Sequence, residues 1–175
     1  TDGSNAVEDT ITGGTGTNYL QINGGVTLAS ADDFTNKATD LDAITTNAGG
    51  TGAISLTLHA TIASDTGISA VDLSADTNAS GSNVIDMTNM STTTAFSVIG
   101  SSGVDTIDAE QTHATTIKAG PGIDVLDLTG GTTIDIIDVT GAHGTGTTAA
   151  TGNYDTVANF VLANDLLRLD GSATT

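Results

Sequence analysis

The sequence predicts an all-β fold, a parallel β-solenoid in which short strands stack layer upon layer. The stretch 81–137 divides into three lines of equal length whose apolar and acidic positions coincide, and self-similarity at a fixed short period is typical of stacked repeats. Aromatic residues make up only 3% of the chain, so a wide core of large side chains is not available. Gly accounts for 22 of the 175 residues and Thr is abundant, which favours tight turns between short strands.

The three lines are GSNVIDMTNMSTTTAFSVI (81–99), GSSGVDTIDAEQTHATTIK (100–118) and AGPGIDVLDLTGGTTIDII (119–137). If each line forms one layer, the members of a column lie above one another, about 4.8 Å apart. Apolar columns then build a thin core, and acidic columns run along the turns. In order, the sixth, ninth, fifth and eighteenth columns are Asp86, Asp105 and Asp124; Asn89, Asp108 and Asp127; Ile85, Val104 and Ile123; and Val98, Ile117 and Ile136.

The chain is strongly acidic, because 21 Asp and Glu residues stand against 3 Lys and Arg residues and give a formal net charge of −18. Such a charge excludes unaided binding to nucleic acid or to an anionic membrane surface. No apolar run approaches the length of a membrane span, so membrane insertion is not expected. There is no Cys to form a disulfide, which fits a secreted protein stabilised by a metal ion. The natural small partner of this chain is a cation.

The acidic columns predict that this cation is Ca²⁺. Two carboxylates one layer apart repel by about 3–4 kcal/mol at an effective dielectric of about 20, and Lys118 is the only base in the three lines. The donors on offer are Asp oxygens and turn carbonyls, which suit the irregular oxygen shell of Ca²⁺ better than Mg²⁺ or Zn²⁺. Taken singly, each Asp is an ordinary turn residue. The candidate ligands from the columns are Asp86, Asp105, Asp124, Asp108 and Asp127.

Three short stretches share the pattern G-G-x-G-x-(D/N)-x-U, in which U is a large apolar residue. They are GGTGTNYL (13–20), GVDTI (103–107) and GPGIDVL (120–126). The chain therefore resembles the RTX family of bacterial calcium-binding β-roll proteins. The resemblance implies that each Ca²⁺ is shared between motif Asp residues and the carbonyls of successive turns. Carried over to this chain, the ligands are Asp105 and Asp124 with the carbonyls of Gly100, Ser102, Gly120 and Gly122, and Asp86 and Asn18 are further candidates.

The stretch 153–170 resembles the segment D-x-(I/V)-x-(D/N)-F…D-x-L-x-L that closes RTX blocks, which adds Asp155 and Asp165 as candidate ligands. Its apolar patch, from Phe160 to Leu169, is predicted to cover the open end of the stacked core. The chain then divides into an N-terminal RTX-like repeat (1–25), an irregular segment with a short helix and a strand (26–67), the β-solenoid core with its ladder (68–137), and a loop with the capping segment (138–175).

Within the irregular segment, Ser30 to Ile44 is predicted as a short helix or a loop, with Ser30 as its cap. The stretch from Ile54 to Leu58 alternates apolar and polar residues and predicts a strand. Together with the ladder, these elements predict a β-roll-like solenoid with calcium-binding turns and irregular ends.

The predicted function is structural. By resemblance, such proteins are exported by a type I system, fold at the cell surface or outside the cell when they meet calcium, and assemble into a surface layer, matrix or filament. The expected partners are calcium ions, copies of the chain itself and cell-surface polysaccharide. Two alternatives stay open: a binding module of a large RTX adhesin for a glycan or ice, favoured by Thr runs at 92–94, 115–116 and 132–133, and the secretion tail of an exported enzyme.

Catalysis by this chain is not expected. The three histidines stand apart from any nucleophile pattern, and the sequence contains neither G-x-S-x-G nor a phosphate-binding loop that opens a helix. Those histidines are His59, His113 and His143.

Overall fold

The computed structural model of the protein describes residues 10–32, 34–48, 51–78, 82–91, 94–109, 112–128, 133–138 and 155–168. Of these residues, 39% lie in strands and 4% in a helix, and the paired strands run parallel. The predicted all-β class with parallel sheets is therefore confirmed. Within the same described residues, no helix is long and apolar enough to cross a membrane.

The strands are short, each two to five residues long, as expected of a chain that turns every few residues. In chain order they are β1 (Ile11–Thr12), β2 (Tyr19–Ile22), β3 (Thr27–Leu28), β4 (Ala38–Thr39), β5 (Ala43–Thr46), β6 (Ser55–Thr57), β7 (Ala70–Asp72), β8 (Ser82–Asp86), β9 (Phe96–Ile99), β10 (Val104–Asp108), β11 (Thr115–Lys118), β12 (Val125–Asp127), β13 (Ile136–Asp138), β14 (Thr156–Ala158) and β15 (Leu166–Arg168), with one helix, α1 (Ile62–Thr66), between β6 and β7.

The strands form two main sheets and one small one. The seven-stranded sheet has the order β15-β13-β11-β9-β7-β5-β2, the six-stranded sheet has the order β14-β12-β10-β8-β6-β3, and β1 pairs with β4. The chain thus visits the two main sheets in alternation and advances by one strand in each. We call two such consecutive strands a layer: layer 1 is β2 and β3, layer 2 is β5 and β6, layer 3 is β7 and β8, layer 4 is β9 and β10, layer 5 is β11 and β12, and layer 6 is β13 and β14.

The core lies between the two main sheets and is built from columns of β-branched and leucine side chains. Successive residues of a strand point to opposite faces, so one inner residue per strand stacks on the inner residue of the next layer. Both inner columns are almost fully shielded from solvent. They are Ile44, Val71, Val98, Ile117 and Ile137 in the seven-stranded sheet and Leu56, Ile85, Ile107 and Leu126 in the six-stranded sheet.

In the N-terminal layers a third group of elements lies beside the two main sheets. In this third side, β1 pairs with β4, and α1 contacts β4. The N–H of Leu41 donates to the carbonyl of Thr66 at the end of α1, at 2.9 Å, and Gly67 ends the helix at φ 90°. This third side encloses additional large side chains. Phe34 before β4 and Ile62 in α1 are among them. Among the described residues, the large buried apolar side chains outside the two inner columns, in any layer, are Phe34, Leu41, Ile54, Leu58, Ile62, Ile68, Leu73, Met87, Met90, Phe96 and Leu128.

The predicted register of equal lines is right between layers 4 and 5 and wrong between layers 3 and 4. Asp108 pairs with Asp127, as that register requires, but Asp86 pairs with Asp108 instead of aligning with Asp105. The cause is the number of residues between the strands: nine (87–95) separate β8 from β9, and six (109–114) separate β10 from β11. Asn83, not Asp86, is therefore the neighbour of Asp105 in the column.

Other predicted column members shift for related reasons. Ile85 pairs with Ile107 rather than Val104, and Asn89 lies in the turn after β8. Ile117 pairs with Ile137 rather than Ile136.

The segment 26–67, predicted as irregular, contributes strands to both main sheets. No helix forms between Ser30 and Ile44 in the described residues; turns lead into β4 and β5 instead. Asn36 and Asp40 both adopt φ 58°, a left-handed conformation that interrupts a helix. The predicted strand from Ile54 to Leu58 is present as β6.

The capping segment forms the last described strand of each main sheet. Val157 pairs with Leu126 and Leu167 with Ile137, so they extend the two inner columns and cover the layer before them. Their own side chains are 37% and 46% exposed, and Leu162 in the turn between β14 and β15 is 88% exposed. Leu169 and the predicted loop from 139 to 152 lie outside the described residues.

Candidate metal centre

Two glycine-rich turns lie one above the other at the edge where the chain passes from the seven-stranded to the six-stranded sheet. Residues 100–103 link β9 to β10, and residues 119–124 link β11 to β12. Because layers 4 and 5 keep the register of equal lines at this edge, Gly100 lies over Ala119 and Asp105 over Asp124. The N–H of Gly100 donates to the carbonyl of Lys118 at 2.9 Å.

The stacked turns approach so closely that only glycine fits at several positions. A methyl group at Gly120 would overlap the carbonyl oxygen of Ser101, and Gly120 also adopts φ 96°. A methyl group at Gly122 would overlap the carbonyl oxygen of Gly103 and lie 2.6 Å from Oδ1 of Asp124. The glycines of the motif are thus explained by close contact between backbones.

A ladder of carboxylates connects the layers at this edge. The N–H of Asp105 donates to Oδ1 of Asp124 at 2.9 Å, and the N–H of Asp124 donates to Oδ1 of Asp155 at 2.9 Å. Each carboxylate therefore binds the backbone of the layer before it. Asp105 and Asp124 are completely shielded from solvent.

Asp105 belongs to a buried polar cluster that spans layers 3 and 4. Its Oδ2 accepts from the N–H of Ser101 at 2.7 Å and from the Ser101 hydroxyl at 3.0 Å. Asn83 donates from Nδ2 to Oγ of Ser101 at 3.0 Å and to Oδ2 of Asp76 at 3.4 Å. Burial raises the pKa of Asp105, its hydrogen bonds with Ser101 and Asn83 lower it, and the charge of Asp76 adds a smaller rise.

One carboxylate oxygen of Asp124, Oδ2, is buried and lacks a hydrogen-bond partner among the described residues. Burial raises the pKa of Asp124 to about 7; the hydrogen bond from Asp105 opposes the rise, and the charges of Asp105 and Asp155 increase it. Burying an anionic oxygen without a partner is costly, so Oδ2 of Asp124 is a point at which a bound cation would stabilise the fold.

The donor set of these turns fits a hard cation. Within the described residues, no three His, Cys, Asp or Glu side chains converge as a metal-binding group, so backbone carbonyls would have to complete a coordination shell. The carbonyls of Gly100, Ser102, Gly120 and Gly122 lie in the two turns, and none accepts a hydrogen bond in the part of the chain that the structure describes. Oxygen donors alone suit Ca²⁺.

A cleft of about 340 Å³ opens at these turns. It is lined by Gly100, Ser102, Gly120, Pro121 and Lys118, together with Ser74, Ile99 and Ser101.

Three of the predicted ligands lie elsewhere, on the outer face of the six-stranded sheet. Asp86, Asp108 and Asp127 pair in register across β8, β10 and β12 and are partly exposed. Burial raises the pKa of Asp108, and the charges of Asp86 and Asp127 add to the rise. Asp86 accepts from the N–H of Thr88 at 2.9 Å, as a turn residue does.

Asn18 holds its own turn by hydrogen bonds. Its Nδ2 donates to the carbonyls of Gly14 and Gly16 at 3.1 Å and 3.2 Å, and its N–H donates to Oδ2 of Asp42 at 2.6 Å. The side-chain amide therefore already binds the carbonyls that would face an ion in this turn.

A second ladder, missed in the sequence, runs along the opposite edge. The N–H of Thr115 donates to Oδ1 of Asp135 at 2.9 Å, and the N–H of Asp135 donates to Oδ1 of Asp165 at 3.2 Å. Asp165 also accepts from the N–H of Val161 at 2.6 Å. Burial, followed by the charge of Asp165, raises the pKa of Asp135.

Chemically, the two edges present buried carboxylates that accept hydrogen bonds from backbone N–H groups and, at Asp105, from the Ser101 hydroxyl. Comparison with models of protein families, with curated proteins and with solved structures gives no match.

Proposed function

We propose that this chain is a calcium-stabilised structural module of the bacterial exterior, a β-solenoid of the β-roll type related to RTX repeats. The observation that carries the proposal is the buried Oδ2 of Asp124, which lacks a hydrogen-bond partner among the described residues and lies in a ladder with Asp105 and Asp155. A cation at this oxygen would neutralise a charge that the fold otherwise leaves uncompensated.

Asp105 and Asp124 would hold the ion together with carbonyls of the two turns. The backbone of the chain holds the ligand oxygens in place. The N–H of Asp105 fixes one oxygen of Asp124, which leaves the other oxygen for the ion. The glycines let the turns stack, so the carbonyls of Gly100, Ser102, Gly120 and Gly122 can converge. Bound Ca²⁺ supplies positive charge and oxygen coordination.

Calcium would then couple folding to location. With a net charge of −18, the chain is strained by self-repulsion, and an ion that binds only the folded state shifts the equilibrium towards it. Low calcium inside the cell would keep the calcium-binding part of the chain unfolded during export, and higher calcium outside would fold it.

Assembly into a surface layer, matrix or filament is supported by the edges of the sheets. The strands β2 and β3 at one end and β14 and β15 at the other have one neighbour each in the described chain, and edge strands readily pair with other strands. The exposed Leu162, Leu166 and Leu167 add apolar surface at the second end. The partners would be copies of the chain and polysaccharide of the cell surface.

The proposal is tested by far-ultraviolet circular dichroism and calorimetric titration with Ca²⁺. We expect the β signal to fall when a chelator removes the ion, and Asp124→Asn to weaken calcium binding at least tenfold. Asp127→Asn removes the same charge from the outer face and is the matched control, with an expected change below threefold. An unchanged β signal in chelator, together with no heat of Ca²⁺ binding, would overturn the proposal.

A second candidate, a glycan- or ice-binding module, is favoured by the outer face of the six-stranded sheet. One row of this face alternates small hydroxyl and valine side chains across the layers: Ser55, Val84, Thr106, Val125 and Thr156. All the side chains of this row are short, as a regular binding surface for a glycan or ice requires. A glycan array and an ice-shaping assay distinguish this function from a purely structural one.

A further inference from the structure

The turn column at the edge of the six-stranded sheet changes its chemistry along the stack. In layers 1 and 2 the column holds apolar residues, in layer 3 it holds an amide, and from layer 4 onward it holds carboxylates. In order, the column is Val26, Ile54, Asn83, Asp105, Asp124 and Asp155. The position that carries the ladder of charges is therefore neutral in the N-terminal layers.

Asn83 joins the neutral and the acidic parts of this column. Its Oδ1 accepts from the N–H of Ile54 in the layer before, at 2.9 Å, and its Nδ2 donates to Oγ of Ser101 in the layer after, at 3.0 Å. A carboxylate at this position could accept the first hydrogen bond but could not donate the second. The amide thus continues the ladder without adding a buried charge.

Buried carboxylates are concentrated in the C-terminal layers, and large buried apolar side chains are concentrated in the N-terminal layers. Among the described residues, the buried carboxylates are Asp76 in layer 3 and Asp105, Asp124 and Asp135 in later layers. Asp76 accepts hydrogen bonds from the N–H of Asn78 and from Nδ2 of Asn83, so its charge is compensated within layer 3. The large buried side chains of the third side, such as Phe34 and Ile62, belong to the N-terminal layers. The N-terminal layers therefore have more apolar burial and less electrostatic repulsion to overcome.

We propose that the protein consists of two parts with different ion dependence at neutral pH. Layers 1–3 are folded without calcium, and the part from layer 4 to β15 orders on layer 3 only when calcium is bound. This inference rests on the proposed calcium function and deepens it. The free edges of β7 and β8 act as a template, because each following strand pairs in parallel with the strand of the layer before. Calcium then controls growth of the stack from layer 3 towards the C-terminus.

Hydrogen exchange of the chain, followed by mass spectrometry with Ca²⁺ and with a chelator, tests this inference. We expect amides of β5, β6 and β7 to keep their protection in chelator within about twofold, and amides of β10, β11 and β12 to exchange at least tenfold faster. Loss of protection in all layers together would overturn the two-part inference and leave the calcium function intact. No change in any layer would contradict the calcium function itself.

The variant Asn83→Asp tests the junction. The variant adds a second buried carboxylate to layer 3 and removes the Nδ2 donor of Asp76, which should make this layer dependent on calcium. We expect β7 and β8 to exchange at least tenfold faster in chelator than in the unaltered chain, with a difference below threefold when Ca²⁺ is present. Asn89→Asp makes the same change of charge in the exposed turn after β8 and should leave exchange unaltered. Equal effects of the two variants, or a loss in Asn83→Asp that Ca²⁺ does not reverse, would contradict the role of Asn83.

Discussion

The N–H of Asp105 donates a hydrogen bond of 2.9 Å to Oδ1 of Asp124 in the following layer. One oxygen of Asp124 is therefore held by the backbone, while the other is buried with no partner in the described residues. The same bond recurs between Asp124 and Asp155. The backbone thus places a row of carboxylates inside the molecule, where repulsion and desolvation act on them together.

Stability of the calcium-free protein should fall as pH rises. The pKa of Asp124 is raised from its ordinary value of 3.8 to about 7 in the folded chain, so the folded state holds a proton that the unfolded chain has released. The stabilising contribution of that proton is fully present below about pH 4 and is lost as pH rises through 7. We expect the far-ultraviolet β signal in chelator to fall between pH 4.5 and 8, because the part from layer 4 to β15 loses its order without calcium once Asp124 is ionised.

The control for this pH dependence is the same scan with saturating Ca²⁺. Bound calcium favours the ionised carboxylate, so the decline should disappear or reverse. A β signal in chelator that stays constant or rises from pH 4.5 to 8 would show that buried carboxylates do not dominate the metal-free state.

Replacing Gly120 by Ala should destabilise the protein by about 2–4 kcal/mol, because the added methyl group would overlap the carbonyl oxygen of Ser101 in the stacked turn. Gly14→Ala is the matched control. Gly14 also has a positive φ, 83°, but a methyl group there meets nothing within 4 Å, so only the conformational cost of about 1 kcal/mol is expected. Urea unfolding of both variants measures the difference, and equal losses would refute the close packing of the turns.

Shortening Leu126 to Ala should cost about 2–5 kcal/mol, since Leu126 is 1% exposed in the inner column and the change leaves a cavity. Leu162→Ala removes the same atoms from a side chain that is 88% exposed, and its effect should stay within about 0.5 kcal/mol. Thermal unfolding in Ca²⁺ compares the two. A large loss at Leu162 would mean that this side chain is covered in solution.

The positions of the ladder carboxylates within their strands could be predicted from the sequence. Asp105, Asp124 and Asp155 each stand two residues before an inner apolar residue, Ile107, Leu126 and Val157. This D-x-U spacing follows from the two-residue period of a strand. The same spacing was available at Asp135, two residues before Ile137, and would have revealed the second ladder.

The register between layers was not predictable from a fixed period. A fixed period puts Asp86 in one column with Asp105, yet three extra residues between β8 and β9 bring Asn83 to Asp105 instead. Which residues pair as strands depends on tertiary packing, and Met87 and Met90 of this connection are buried in the core. Asp76, which accepts a hydrogen bond from Asn83, likewise lies outside the three equal lines and could not be predicted from them.

Replacing Asn18 by Asp should make the N-terminal turn dependent on calcium. The amide donates to the carbonyls of Gly14 and Gly16, and a carboxylate would turn both attractions into repulsion, at a cost of about 1–2 kcal/mol in chelator. Ca²⁺ between the carboxylate and the two carbonyls should restore that stability. Asn23→Asp changes the charge equally in the exposed turn between β2 and β3 and is the control. Equal Tm values for the two variants in chelator would contradict the structural role of the Asn18 amide.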